Sequence, residues 1–364
     1  MVDFTHIIEF LLRERLILYE VKRGKELPEL PGRTADSDID PRRLPHPGLR
    51  RHRIFDIIST AEDLARLPKT RWQVFTDGSR LDGRVGAAAS FWKEETEKRY
   101  ATIKLSNFCS VFQAELAAIK QALQLILHKH KSYEEVTLLS DSRSALQTIC
   151  DPTSLHPLAA EVREHLATLE SKGIKIDFAW IKAHQGLCGN ERADELAKKA
   201  ALTSKKSPAY DKFPISYAKR LIREATVREW QKRYADYNPN SPIKMFFNSV
   251  QAAHRVFKNY EHCNIGTQLF TGHGGIRSYL HKYRLAVNPS CLCDNITHET
   301  IEHILIDCPR YGRQRHDYEK KMAQPITKNN IATIMEKEKL RAIFLDYGLK
   351  IMRKAAKANG STVA

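Results

Sequence analysis

No apolar stretch in this sequence reaches the ~18 residues that a membrane-spanning helix requires, so no transmembrane helix and no membrane partner are expected. A secretory start is missing as well. The opening MVDFTHIIEFLLRERLILYE carries acids among its apolar residues and no small-residue cleavage site, and it reads as an amphipathic helix. Cysteine is scarce, seven in 364 residues, and odd in number. That argues against a disulfide framework. The thiols are expected to be free or metal-bound in a reducing compartment, nuclear or cytoplasmic, with the chain not secreted. No internal repeat is present, and nothing here bears on oligomeric state.

What is present is positive charge. The formal net charge is +16, which favours a polyanionic partner. It is unevenly placed: residues 71–203 carry 18 Lys and Arg against 17 Asp and Glu, whereas residues 204–290 carry 15 against 5. A nearly neutral middle beside a strongly basic block suggests an acidic site with a polyanion grip next to it. Hydrophobic residues make up 42% of the chain, enough for one sizeable core and a second, smaller one.

The pattern along the chain predicts four regions. Residues 1–70 are a helix followed by a Pro- and Gly-punctuated linker at 27–50. Residues 71–203 begin with three strand-like runs, WQVFTD, VGAAASFW and RYATIKL, the first two joined by a turn at Asp82-Gly83; Gly78 and Ser79 also read as turn residues. Apolar residues at helical spacing then predict a helix over 110–130, a strand over 135–141 and a short helix after it. A helix over 157–173 is stopped by Gly173, a strand covers 174–184, and a helix covers 189–202 with its start marked by Asn190. The order β-β-β-α-β-α-α-β-α gives an α/β fold, a mixed five-stranded sheet with flanking helices. Residues 204–290 read as basic and helical, and 291–364 as a Cys/His cluster with a Lys-rich helical tail.

Four acids fall at element ends. Asp77 ends the first strand and Asp141 the fourth, Glu115 lies in the first turns of the long helix, and Asp194 lies early in the last one. One acid at a strand end is commonly a cap or a solvated residue; four such positions can converge. Like charges held close repel unless a cation neutralises them. Hard oxygen ligands suit Mg²⁺ or Mn²⁺. Two such ions ~4 Å apart clamp the attacking and leaving oxygens of a phosphoryl displacement.

FTDGS, FQAEL, LLSDS and IKAHQGLCGNERADELAK resemble, in order, the four signature segments of the type 1 ribonuclease H domain. Successive acids are separated by 38, 26 and 53 residues. SVFQAELAAI and the later Cys/His cluster are similar to the C-terminal part of a non-LTR retrotransposon polyprotein. No polymerase motif of the Tyr/Phe-Ala-Asp-Asp type is present, so the 1–70 region resembles the tail of a reverse transcriptase that would precede it in a parent polyprotein. The resemblance implies an endonuclease, a hydrolase in which Asp77, Glu115, Asp141 and Asp194 bind two divalent ions and direct cleavage of the RNA strand of an RNA/DNA hybrid. His184 falls on the family's mobile histidine, with proton transfer or product release as its role. Ser79, Gln113 and Asn190 fall where substrate is touched. The paired Asn residues that many members place before the Glu are replaced by Val111 and Phe112, and Gln113 is expected to take over part of that contact. The alternative is a nucleic-acid-binding remnant whose catalysis has faded; the four intact acids argue against it. An integrase-like recombinase fits less well, because there the zinc module precedes the catalytic core.

Cys291, Cys293, His303 and Cys308 have the spacing C-x-C-x9-H-x4-C, four soft or borderline ligands within 18 residues. A structural, tetrahedral Zn²⁺ fits that set, with His298 competing for the fourth position. The preceding TGHGGIRSYLHKYRL offers basic and aromatic residues for other nucleic acid or, equally, a solvated helix.

Overall fold

The computed structural model describes residues 4–360, apart from residues 51, 59, 61, 64, 65, 67–70, 184, 259, 261 and 262. The chain divides into two compact units, Glu14–Ile222 and Met1–Arg13 with Arg223–Ala364. No helix among the described residues is long and apolar enough to cross a membrane.

The first unit is built on a six-stranded sheet. Its strands are β1 (Phe55–Ile58), β2 (Trp72–Leu81), β3 (Arg84–Lys93), β4 (Thr96–Leu105), β5 (Glu135–Ser140) and β6 (Lys175–Ile181). They lie in the order β1-β6-β5-β2-β3-β4. β2, β3 and β4 form an antiparallel meander, while β1, β6, β5 and β2 run parallel. Six strands replace the five expected. The additional one, β1, is a four-residue edge strand, FDII, buried only at Ile58, and so short an apolar run does not by itself mark a strand.

Strand alternation puts Val74 and Leu138 on one face and Phe75 and Leu139 on the other, within two separate cores. The first face is covered by α2 (Val111–His128), α3 (Arg143–Cys150) and α4 (Pro157–Ser171). The second is covered by α5 (Cys188–Thr203); α1 spans Phe4–Lys22. Helix α5 starts earlier than expected: Leu187 is its N-cap, with no side-chain capping bond, and Asn190 lies inside it, buried. Residues 27–50 pack along this unit, with Leu27, Ala35 and Asp36 buried.

Asp77 does not end its strand, being the sixth of ten residues in β2, and Gly78 and Ser79 are not turn residues. β2 continues through both to Leu81, with Gly78 opposite Ala87 and Ser79 opposite Gly86. The reversal comes at Asp82 and Gly83, both at positive φ (49° and 73°), the conformation a two-residue hairpin loop requires. Glycine at 78 answers a different need. A Cβ there would lie 2.4 Å from the Glu115 backbone nitrogen and 2.7 Å from the Ala114 carbonyl carbon. The bare backbone lets the start of α2 rest directly on the strand beside Asp77. Gly78→Ala is therefore expected to cost about 2–3 kcal/mol in thermal unfolding, at the upper end of overpacking effects, and to push Glu115 off position.

The second unit is helical. It contains α7 (Pro242–Phe246), α8 (Val250–Phe257), α9 (Asn264–Thr271), α10 (Arg277–Lys282), α11 (Gly312–Met322), α12 (Ile331–Glu336) and α13 (Glu338–Ala358); α6 spans Ile215–Asp236. Phe246, Phe270, Phe344, Tyr347 and Ile351 share its core with Cys291 and Cys308. The Tyr347 hydroxyl donates to the Leu305 carbonyl at 2.7 Å, which ties α13 to the segment bearing the last two Cys/His residues.

Candidate active site and metal-ligating clusters

Register brings the first two acids together. Thr76 of β2 stands opposite Ser140 of β5 in a parallel pair, so the next residues along, Asp77 and Asp141, emerge side by side. The third arrives on α2. Ser110 and Gln113 form a capping box: the Ser110 hydroxyl accepts from the Gln113 backbone N–H at 3.2 Å, and the Gln113 side-chain oxygen accepts from the Ser110 N–H at 2.9 Å. That sets the helix start and brings Glu115 onto Gly78. Ligand atoms of Asp77, Glu115 and Asp141 all lie within 4.8 Å of one another.

This arrangement is electrostatically strained without a cation. Burial, with the charges of Asp141 and Asp194 adding to it, raises the Asp77 pKa to about 7. Burial, then Asp77 and Asp141, pushes Glu115 well above the usual carboxylate range. Asp77 Oδ2 and Glu115 Oε2 are buried and have no hydrogen-bond donor. Two hard acceptors without donors, meeting a third carboxylate from the end of β5, fit a divalent cation with oxygen preference.

Asp194 stands outside that trio. Its carboxylate pairs with Lys198 at 2.7 Å, one turn further along α5, yet its charge still reaches Asp77, and that of Lys198 opposes it. Asn190 touches the site: its Nδ2 donates to Asp141 Oδ2 at 3.5 Å. Ser79 is half-buried on β2, on the same strand face as Asp77 by alternation. Gln113 departs from expectation. It is 1% exposed, turned inward and bonded to Asp36 and the Lys212 carbonyl, so it has nothing left for a substrate. His184 lies outside the described residues.

Two neighbours went unread in the sequence. Trp180 donates from its indole N–H to the Asp141 carbonyl at 2.9 Å, and the Arg143 guanidinium lies over its ring at 5.9 Å. Lys198 was legible as the i+4 partner of Asp194 in DELAK.

The metal-free protein is expected to respond to pH through this cluster. Folding raises the Asp77 pKa from 3.8 to about 7, so the folded state holds that proton more tightly. Stability from this group is complete below about pH 4 and is lost as pH rises through about 7, on the order of 2–4 kcal/mol. Melting in chelator at pH 5 and pH 8 checks the sign, and a divalent ion is expected to recover the loss at pH 8.

The second cluster gathers Cys291, Cys293, His303 and Cys308, with all ligand atoms within 4.8 Å. The Cys291 and Cys308 sulfurs are 3.7 Å apart, and Cys293 Sγ is 3.3 Å from His303 Nε2. Tetrahedral bonds of ~2.3 Å give an S–S edge of about 3.8 Å, so the set is sized for such an ion. His298 is exposed, its backbone bridged to Ser290, and it is not among the gathered ligand atoms. His303 and Cys308 are five residues apart. In an α-helix five residues would leave them roughly 140° apart. The chain instead forms a π-helical turn over His303–Asp307, closed by Cys308 N–H donating to the His303 carbonyl at 2.8 Å. The wider turn brings both ligands to one side.

A family model described as RNase H matches residues 69–202. Ribonuclease HI of Helicobacter pylori is 31% identical over 139 residues, covering 35% of this chain and 90% of that protein. The chain belongs to the ribonuclease H family. All four acids lie within the matched ribonuclease H domain, and the Cys/His cluster lies beyond it. The chain is also related to a Pol polyprotein of the type-1 retrotransposable element R1 2 from Nasonia vitripennis, 30% identical over 97 residues. That match covers 27% of this chain and 23% of the polyprotein. The N-terminal RNase H domain of a Mycobacterium tuberculosis protein aligns over 36% of this chain and 98% of its own, at 18% identity and a TM-score of 0.31.

Proposed function

We propose that this chain is an endonuclease that hydrolyses the RNA strand of RNA/DNA hybrids, and that it derives from a retrotransposon polyprotein in which a reverse transcriptase is its partner. The observation that carries the reading is the convergence of Asp77, Glu115 and Asp141, within 4.8 Å, inside the ribonuclease H domain. Two Mg²⁺ or Mn²⁺ ions, when bound there, supply water activation and charge stabilisation at the leaving 3′ oxygen.

The chain's residues have separable tasks. Asp77, on a central strand paired on both sides, gives the most rigidly placed carboxylate. Glu115 and Asp141 complete the oxygen cage from a helix start and a strand end. Asp194, paired with Lys198, adds negative charge beside the trio. Asn190 orients Asp141 through its amide. Positioning and charge, rather than a covalent intermediate, account for the chemistry. The Cys/His cluster is read as a structural Zn²⁺ site with no open position, because four protein ligands close the tetrahedron.

The test is a hybrid with either its RNA or its DNA strand labelled, incubated with the chain and Mg²⁺. Internal cuts confined to the RNA strand are expected. Binding of the hybrid with no cutting at any Mg²⁺ or Mn²⁺ concentration would contradict the reading and favour a nucleic-acid-binding remnant.

A further inference from the structure

Gln113 is a residue of the active-site helix whose side chain is fully used inside the protein. Its oxygen closes the capping box on Ser110. Its amide nitrogen donates to Asp36 Oδ2 at 2.7 Å and to the Lys212 carbonyl at 3.2 Å. His156 Nε2 lies 3.5 Å from the same Asp36 oxygen. Asp36 and Lys212 come from segments on either side of the ribonuclease H domain, both outside its matched span. Those segments also hold each other. Asp36 N–H donates to the Phe213 carbonyl at 2.7 Å, and Phe213 N–H donates to that of Thr34 at 3.2 Å. Val21, Leu27, Ala35, Phe213, Ala218 and Ile222 share a small core beneath them.

We propose that Asp36 is a positioning residue for the metal site: through Gln113 it locks the first turn of α2 and so fixes the Glu115 carboxylate against Asp77 and Asp141. The inference rests on the metal-site reading above. A helix start has unpaired N–H groups and is the part of a helix that opens most easily. Glu115 lies two residues past Gln113, so fraying there would displace a ligand. Gly78 lets the turn approach the strand, and the bond to Asp36 stops it from lifting away. The flanking segments thereby complete the catalytic unit.

The test uses the full chain. Gln113→Glu keeps the acceptor for Ser110 but sets a carboxylate against that of Asp36. Adding Asp36→Asn returns an amide donor facing it. Mn²⁺ binding by calorimetry is expected to weaken about tenfold in the single variant, as for other residues that orient metal ligands. The double variant is expected to recover most of the loss. A role in global stability alone would lower the melting temperature and leave Mn²⁺ affinity unchanged. As a second readout, Asp36→Ala is expected to speed amide exchange of residues 111–115 about tenfold relative to β2 in metal-free protein. A single variant that binds Mn²⁺ like the parent, a double variant no tighter than the single, or unchanged exchange overturns the proposal. A parent chain that binds no Mn²⁺ removes the metal-site reading and this inference together.

Discussion

Asp77→Asn is expected to raise the melting temperature of the metal-free protein at pH 8 while lowering hybrid cleavage by at least about a thousandfold, roughly 4 kcal/mol of barrier. Both effects follow from the same carboxylate. It is 7% exposed and sits among acids, and its outer oxygen lacks a donor. Keeping it charged at pH 8 costs folding free energy, which an amide of equal size avoids. The same amide is a poor ligand for a hard divalent ion. A site in which function opposes stability is the pattern expected of catalytic groups. Thermal unfolding in chelator and a cleavage time course on the same preparation measure the two effects. A variant that cuts as fast as the parent, or that melts lower without metal, would contradict the account of Asp77.

The second large effect concerns the Cys/His cluster. Cys291 and Cys308 are fully buried in the core of their unit, and the π-helical turn presents His303 and Cys308 to the same point. Binding of a structural zinc is worth on the order of 10 kcal/mol in small domains, against a whole-domain stability of about 5–15 kcal/mol. Zinc removal by a strong chelator, or Cys308→Ser, is therefore expected to abolish cooperative unfolding of the segment from Arg277 to Ala358. Limited proteolysis should then cut α13 around Phe344 and Tyr347, which are buried in the intact unit. One zinc per chain in the purified protein, with protection lost on its removal, is the expected result. Full protection in zinc-free protein would mean that the thiols are ordinary core residues.

The acids were legible because they stand beside apolar runs that mark strands and helices, although Asp77 lies inside β2 and not at its end. Asp77 and Asp141 each close an apolar run, and parallel pairing of those two strands suffices to join them. Other features depend on contacts that no local pattern records. Gly78 looks like a turn residue until the helix that presses on it is known. Asp36 lies in TADSDID, where one buried acid cannot be told from its solvated neighbours, and its meaning appears only once Gln113 and Phe213 fold against it. Gln113 stands beside Val111 and Phe112, where the family's paired Asn residues would be, which suggests a part of their substrate contact; the capping box and Asp36 claim it instead. β1 is mostly apolar, but at four residues it is too short to be told from an isolated apolar run. The choice between His298 and His303 likewise required the π-helical turn, which five-residue spacing alone does not announce.

The central claim is that one acidic cluster both binds the divalent ion and cuts the RNA strand. It is tested most directly by titrating Mn²⁺ into the parent chain and Glu115→Gln while following ion binding and hybrid cleavage on the same samples. The account predicts that binding and cleavage in the parent rise over the same Mn²⁺ range, and that Glu115→Gln loses both together while remaining folded. Cleavage that persists in Glu115→Gln at the parent's Mn²⁺ midpoint would place the chemistry elsewhere.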